Sequence, residues 1–595
     1  RKGVVVVMAS NDFDSADHQA GMFWPDLWPG NSIVSDGSGT VSAASGSEHL
    51  ATTFRERSNL TSFGPHALFS VPTEGGSTSD ATPNTAGVAA LVASYGRIAA
   101  QRGYIHGALN AGEIEEVVRA TASPIDDPKL GWPGKPGTTF NIQYGYGRPD
   151  LLAAAQAIRA GHIPPVPNIE SPSWYALLDP TRTRSVPILA DLEARRSPSF
   201  AWRVQYGLGP DPTEAQFHTI ASGRVRGRSK SGVIARLDLR LIPRSMWAAA
   251  FRQTADLSST EQYTVTLRIQ MTDAQGVMGE DRRAIEVFHD PSLEPGYPLT
   301  LAQGAESQPE LVDLDGDGRL DLVWADEDGW VHALDPLTRR ELAGWPVHTR
   351  RLSLGMAGTP AARSHAIPPA YEPVIAPVAV GDLGGNGLPD IVVTTQTGRV
   401  YVFDYRGRLL RGWPQAMGAD VRGMSVPPPF SPHIFSPSMG AFATPVLARL
   451  PNGHGLDILQ AAWDGKLYAW DRFGHAVPGW PVRVTLPPGT LPGGCIPIYD
   501  YKLIATPTVA YLDGTGMPDI VEKSQIWCSS NGDIGPAALT YLFALYGDGN
   551  HHAGGPRLPG WPVQMVSALG YYNSAQDWLT EGADPASAAD IDGSG

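Results

Sequence analysis

The tripeptide Gly-Trp-Pro occurs four times in the second half of the chain, beginning at Gly344, Gly412, Gly479 and Gly560. Recurrence at such spacing marks a duplicated structural unit, because each copy must satisfy the same neighbours. Each copy follows a short apolar run: Trp330 to Asp335, Arg399 to Asp404, Lys466 to Asp471 and Tyr541 to Leu545. An earlier run precedes each of these, across a tight turn in the first three copies: Asp328-Gly329, Thr397-Gly398 and Asp464-Gly465. A period of about 65–80 residues with four short strands per unit fits the blades of a β-propeller.

Ahead of the second run of the first unit lies Asp313-Leu314-Asp315-Gly316-Asp317-Gly318-Arg319-Leu320-Asp321. Its carboxylates, Asp313, Asp315, Asp317 and Asp321, offer hard oxygen ligands, with Gly where the chain must bend, and this pattern predicts bound Ca2+. An EF-hand would carry Glu at the twelfth position, where Trp324 stands, and the flanking alternation Leu320 to Trp324 is of strand type. The second loop keeps Asp382, Asn386 and Asp390 and has Gly384 where a further acid is wanted, so weaker or water-assisted binding is expected. The third carries Arg449 and Pro451 in acidic positions. The fourth retains Asp513 and Asp519 behind Tyr511, and both are expected to hold their shape without metal. A fifth begins at Asp590. The fourth unit also carries an insertion, Ser524 to Ala538. The units resemble the FG-GAP or VCBS repeats of integrin-like β-propellers, whose inter-strand loops bind calcium. That resemblance implies an incomplete propeller over 296–595, four blades and the start of a fifth from a ring of about seven.

The first half is built differently. Val4 to Ala9 is a continuous apolar run ending at Ser10-Asn11-Asp12, the pattern of a buried parallel strand with a functional group at its C-terminal end. Ser77-Thr-Ser-Asp-Ala-Thr-Pro-Asn-Thr-Ala-Gly87 then runs into Val88 to Val92, a loop turning into a helix. Pro83 suits a first helical turn, and Thr78 or Ser79 is left at the positively polarised end, where a hydroxyl ionises more easily. A second helical segment is expected over Gly112 to Ala122, and Tyr144 to Ala155 reads as a Gly-rich turn followed by a closing amphipathic helix.

These features together resemble the subtilisin-like serine peptidases. Thr78, Ser79, Ala81, Pro83, Ala86 and Gly87 fall on the nucleophile motif Gly-Thr-Ser-x-Ala-x-Pro-x-x-Ala-Gly, from which Ser77, Asp80 and Asn84 depart. Ser58 to Gly64 and Ala67 to Pro72 look like the loop and strand before the nucleophile. The resemblance covers residues 1–160 and implies the C-terminal part of an α/β catalytic domain. Ser79 is then the nucleophile, Asn11 the oxyanion donor, and a protein or peptide the substrate. In that family the orienting Asp and the base His precede the oxyanion Asn. The sequence is therefore read as a fragment at both ends, inactive alone. Asp12, Asp14, Asp17, His18, His49 and His66 are read as solvated loop residues.

Between the two parts, 161–170 reads as a Pro-rich linker. Beyond it, 171–295 alternates with period two in Phe200 to Tyr206, Val233 to Leu239 and Tyr263 to Met271, with Val265, Leu267, Ile269 and Met271 on one face. About seven short strands suggest an all-β immunoglobulin-like sandwich, a spacer or substrate-presenting module. The basic run Arg224 to Lys230 is read as a solvated hairpin. A net charge of -15 argues against nucleic acid or an anionic membrane as partner, and no apolar run is long enough to span a bilayer. Cys495 and Cys528 leave a single disulfide open and exclude a cysteine-ligated zinc site. The expected protein is a secreted or cell-surface multidomain endopeptidase; the alternative is a surface adhesion protein, bound to a cell-surface or matrix ligand, whose peptidase-like part is degenerate.

Overall fold

The computed structural model describes residues 5–9, 27–33, 63–72, 78–125, 140–252, 258–299, 301, 304–305, 307–352, 371–418, 440–487, 489–490, 496–503, 505–530 and 533–565. The chain forms two compact units, Arg1–Leu299 and Thr300–Gly595, and is β-rich throughout, with several separate sheets and few helices.

The first unit begins with a parallel sheet of β1 (Val6–Ala9), β2 (Leu27–Ile33) and β3 (Phe69–Pro72), in that order. Helix α1 (Thr78–Gln101) buries Ala81, Ala89, Val92 and Ala99, small side chains that permit close packing. Helix α2 (Ala111–Thr121) starts at a capping box: Asn110 Oδ1 accepts from the Glu113 amide at 2.8 Å and Glu113 Oε2 from the Asn110 amide at 3.0 Å. Asp150 caps α3 (Leu151–Arg159). Phe69, Val92, Val117, Phe140 and Ile158 share the core of this part.

A sandwich of eight strands follows. One sheet is ordered β5 (Leu177–Leu178), β11 (Met278–Val287), β10 (Thr264–Asp273), β7 (Ser199–Leu208), β8 (His218–Arg226); the other is β4 (Val166–Ser171), β6 (Ser185–Glu193), β9 (Ser229–Asp238). Three features differ from the sequence reading. The Pro-rich stretch enters the sandwich as edge strand β4, where proline's missing N–H costs no ladder bond. Its Pro165 carbonyl lies so near Gly279 that a Cβ there would be 1.8 Å away. The basic run is exposed as expected, but it is a crossover: β8 pairs with β7 and β9 with β6, so Gly227-Arg228 carries the chain between sheets.

The third difference concerns β10. Val265, Leu267, Ile269 and Met271 fill the sandwich core, yet the polar face is buried as well, with Arg268 fully so. The connection between β7 and β8 covers Arg268, whose guanidinium lies over the Phe217 ring at 3.6 Å, and Tyr146, Phe140 and α2 reach the neighbouring residues of β11. Arg268 pairs with Glu214 at 2.6 Å and Arg282 with Glu280 at 2.7 Å, while the Tyr146 hydroxyl donates to Glu280 at 2.9 Å. From α2, Glu116 accepts from the Glu280 amide at 3.2 Å, and Arg119 binds both Glu116 and the Met278 carbonyl. Burial alone would raise the Glu280 pKa, but Arg282, Arg119 and Arg268 pull it down to about 2. His66, read as solvated, is buried in this junction beside the Tyr175 hydroxyl, 3.0 Å from its Nδ1.

The second unit holds four antiparallel sheets in sequence order. They are β12 (Glu310–Val312) to β16 (Val347–His348), built on β13 (Asp321–Ala325), β14 (Trp330–Asp335) and β15 (Arg340–Glu341); β17 (Ala379–Gly381), β18 (Asp390–Thr394), β19 (Arg399–Phe403), β20 (Gln415–Ala416); β21 (Val446–Ala448), β22 (Asp457–Ala461), β23 (Lys466–Trp470), β24 (Val482–Arg483); and β25 (Ile496–Lys502) to β29 (Val563–Met565), containing β26 (Thr508–Ala510), β27 (Asp519–Ser530) and β28 (Asp533–Tyr546). The insertion is an extension of β27 and β28 that also pairs with β25. Each sheet shares an apolar core with the next.

Gly-Trp-Pro is the clasp between them. The indole N–H groups of Trp345, Trp413 and Trp480 donate to the carbonyls of Tyr405, Arg472 and Gly547 in the following sheet, at 3.1, 3.0 and 3.2 Å. A Cβ on Gly344, Gly412 or Gly479 would lie 2.0–2.2 Å from a carbonyl of that same turn, which excludes any side chain. At Gly560 nothing lies within 4 Å.

Candidate functional site

Two places in the chain concentrate chemistry. The first is the carboxyl edge of the parallel sheet. Val6 to Ala9 pair with Leu27 to Gly30, and Gly30 to Ile33 with Phe69 to Pro72, so β1 and β3 leave the sheet on the same edge. Six residues beyond β3, α1 begins, with Ser79 in its first turn at the positive end of the helix dipole. Pro83 lies deeper than expected, as the sixth helical residue. Having no N–H, it leaves the Ser79 carbonyl without its i+4 partner. Asn84, one of the departures from the peptidase motif, donates from Nδ2 to the Pro72 carbonyl at 3.0 Å and ties the helix to the end of β3. Thr85 Oγ1 returns to the Ala81 carbonyl. Asn11, two positions past Ala9, lies outside the described residues, as do Asp12, Asp14, Asp17, His18, His49 and Cys495.

The Gly-rich turn braces β3. The Tyr146 amide donates to the Leu68 carbonyl at 2.7 Å, the Ser70 amide to Gly147 at 3.1 Å, and Ser70 Oγ to Tyr144 at 3.2 Å. Gly145 has φ +63°, and a Cβ there would lie 2.3 Å from the Leu68 carbonyl oxygen. The turn in turn hangs from the sandwich through the Tyr146 hydroxyl.

The second place is the first acidic loop. Carboxylate oxygens of Asp313, Asp315 and Asp317 lie within 4.8 Å of one another. Backbone amides preset them: Asp313 accepts from Gly316 and Gly318, Asp315 from Asp317, and Asp317 from Arg319. Asp317 Oδ2 also accepts the Arg319 guanidinium at 2.7 Å, and the lone pairs left on the three carboxylates could hold a metal ion.

Asp321 stands outside that trio. It is the first residue of β13, is buried, and accepts the Leu314 amide at 3.0 Å. Asp390, Asp457 and Asp519 open the second strands of the other sheets and do the same for the amides of Leu383, Leu450 and Leu512. This fourfold pin is a loop-closing device that recurs whether or not the other acids are present, and alignment of the repeats against each other would have found it. Asp382 and Asn386 of the second loop accept from Asn386 and Gly387 and from Leu388 respectively.

No protein-family profile and no curated protein matches the chain. Solved structures similar to it include a quinohemoprotein alcohol dehydrogenase, ADHIIG, from Pseudomonas putida HK5 (13% identity, 66% of this chain and 61% of that one, TM-score 0.25). Saccharomyces cerevisiae Sqt1 (8%, 63% and 94%, TM-score 0.23) and the C-terminal domain of Pseudomonas aeruginosa PilY1 (12%, 38% and 57%, TM-score 0.21) are others. At these TM-scores the likeness carries no argument about fold or function. No helix among the described residues is long and apolar enough to cross a membrane.

Proposed function

We propose that the chain belongs to a secreted or cell-surface subtilisin-like serine endopeptidase that carries a calcium-binding β-propeller of FG-GAP type. The observation that supports the peptidase reading is the strand, loop and helix order at the carboxyl edge of a parallel sheet: β3, then α1 with Ser79 in its first turn, four residues before Pro83. In this reading Ser79 Oγ attacks the scissile carbonyl while a His base takes its proton, and Asn11 with the Ser79 amide stabilises the oxyanion. The base returns the proton to the leaving amine, and water then hydrolyses the acyl-enzyme. The propeller reading is supported by four consecutive sheets joined by identical clasps. Asp313, Asp315 and Asp317 would hold calcium, which supplies counter-charge to the loop.

A second reading, a surface adhesion protein with a degenerate peptidase part, draws on Asn84, which serves as a structural tie where the peptidase motif frequently has His. Hydrolysis of an unstructured protein such as casein by the full-length gene product separates the two. The peptidase reading expects turnover that falls by about 10³-fold or more in Ser79→Ala. Equal rates for the two proteins, or no turnover, would favour adhesion.

A further inference from the structure

We propose that the joint between the third and fourth sheets is closed by acid: it holds while the carboxyl of Glu522 carries its proton and loosens as that proton leaves. Glu522 is the fourth residue of β27, on the face that Ile520 turns toward sheet three, and it stands directly opposite Phe543 of β28. It is 1% exposed, and neither carboxyl oxygen meets a hydrogen-bond partner among the described residues. Ser524 Oγ, two residues on and on the same face, is equally buried and also meets none.

The preceding joint shows what this position is built for. Gln460, the fourth residue of β22, fills the same place between sheets two and three. Its Oε1 accepts from Thr394 Oγ1 of sheet two at 2.7 Å, and its Nε2 donates to the carbonyls of Ala443 and Ala461, both at 2.9 Å. The repeat aligns Ala443-Thr444-Pro445 with Ala505-Thr506-Pro507, so both carbonyls have counterparts, in Ala505 and Lys523. The Thr394 hydroxyl has none, because its counterpart in sheet three is Ala461. A protonated carboxyl, with one donor and one acceptor, can take the part of the Gln460 amide, whereas a carboxylate only accepts. Sheet three turns Leu459, Ala461, Leu467 and Ala469 into this joint, β26 adds Val509 and β28 adds Tyr541, Phe543 and Leu545, none of them charged at neutral pH. The charge acting on Glu522 is that of Lys523, which alternates to the other face of β27; Lys502 of β25 is in register with Gln525, three residues along.

Burial pushes the Glu522 carboxyl well above its ordinary value near 4.5, against the weaker pull of the Lys523 amide and charge. A raised carboxyl contributes stability that is complete below its unfolded pKa and lost as pH rises through the folded one. Hydrogen exchange of the full chain at pH 5.5 and pH 8.5, corrected for the pH dependence of intrinsic exchange, is the test. Between these values the wild-type protection of residues 519–523 and 541–545 is expected to fall by at least about 10-fold more than that of Glu522→Gln, which copies Gln460 and keeps the Asp519 pin. Ala461→Thr, which restores the hydroxyl that Thr394 supplies one joint earlier, is expected to reduce the wild-type loss. Parallel losses in wild type and Glu522→Gln, or a Glu522→Gln protein less protected than wild type at pH 8.5, overturn the proposal. If Glu522→Gln does not fold, an undiminished loss in Ala461→Thr overturns it.

Discussion

At the scale of single residues, the buried charges between α2 and the sandwich are the most sensitive points. Arg268 and Arg282 face each other directly across β10 and β11, a repulsive pair made tolerable by Glu280 and Glu214. Glu280→Gln leaves two guanidiniums short of counter-charge in a dry layer and is expected to cost about 3–5 kcal/mol of unfolding free energy, read by urea denaturation. Tyr146→Phe loses one hydrogen bond to the same carboxylate, and a smaller loss of ~1–2 kcal/mol is expected. His332 gives a pH signature in the second unit. Burial disfavours its charged form, but Asp326 at 3.5 Å and Glu341 at 2.6 Å outweigh that and raise its pKa to about 9. A raised histidine contributes stability that is complete below its unfolded pKa near 6.5 and lost as pH rises through 9. The melting temperature of the second unit should therefore fall between pH 7 and pH 9.5, and His332→Gln should flatten that slope.

At the scale of elements, the clasp turns a sequence motif into an energetic prediction. Gly412→Ala must displace the Phe473 carbonyl, 2.0 Å from the new Cβ, in addition to the strain of alanine at φ +96°, whereas Gly560→Ala meets only the strain. Strain alone costs about 1–2 kcal/mol, and Gly412→Ala should exceed it by roughly 1–3 kcal/mol in matched denaturation curves. The repeat was legible because its turns and clasp are local and identical from copy to copy. A further copy, Gly296-Tyr297-Pro298, escaped notice because Tyr replaces Trp, although Gly296 has the same left-handed φ, +87°. The buried polar face of β10 was not legible at all: alternation tells which residues share a face, never whether another segment covers it. His66 was misjudged for the same reason, and the pin made by Asp321 was not legible because an acid at a loop's end reads alike as ligand or as pin. In the first part of the chain the order of strand, loop and helix followed from Pro83 and the apolar run after it. That α1 starts five residues before Pro83 did not.

At the scale of the whole molecule, the sandwich is bound to the segment before it by Arg195 and Arg196 on Glu113 and by the Tyr146 hydroxyl on Glu280. The second unit is a chain of sheets, each closed on the next by one indole, and calcium at the first acidic loop would stabilise the end where the array begins. Saturating calcium about 100-fold above its dissociation constant adds ~2.7 kcal/mol to the folded state, so chelation should lower the melting temperature of this unit by about 5 °C or more. Asp315→Asn should abolish that response, and a melting curve indifferent to chelator would remove calcium from the account. The central claim is that Ser79, at the positive end of α1, is the nucleophile of a peptidase. Labelling of the full-length gene product with a fluorophosphonate, followed by mass-spectrometric mapping of the adduct, tests it most directly. A single adduct on Ser79, absent from Ser79→Ala, is the predicted result; a folded full-length protein that takes up no label, or takes it up at another residue, would contradict it.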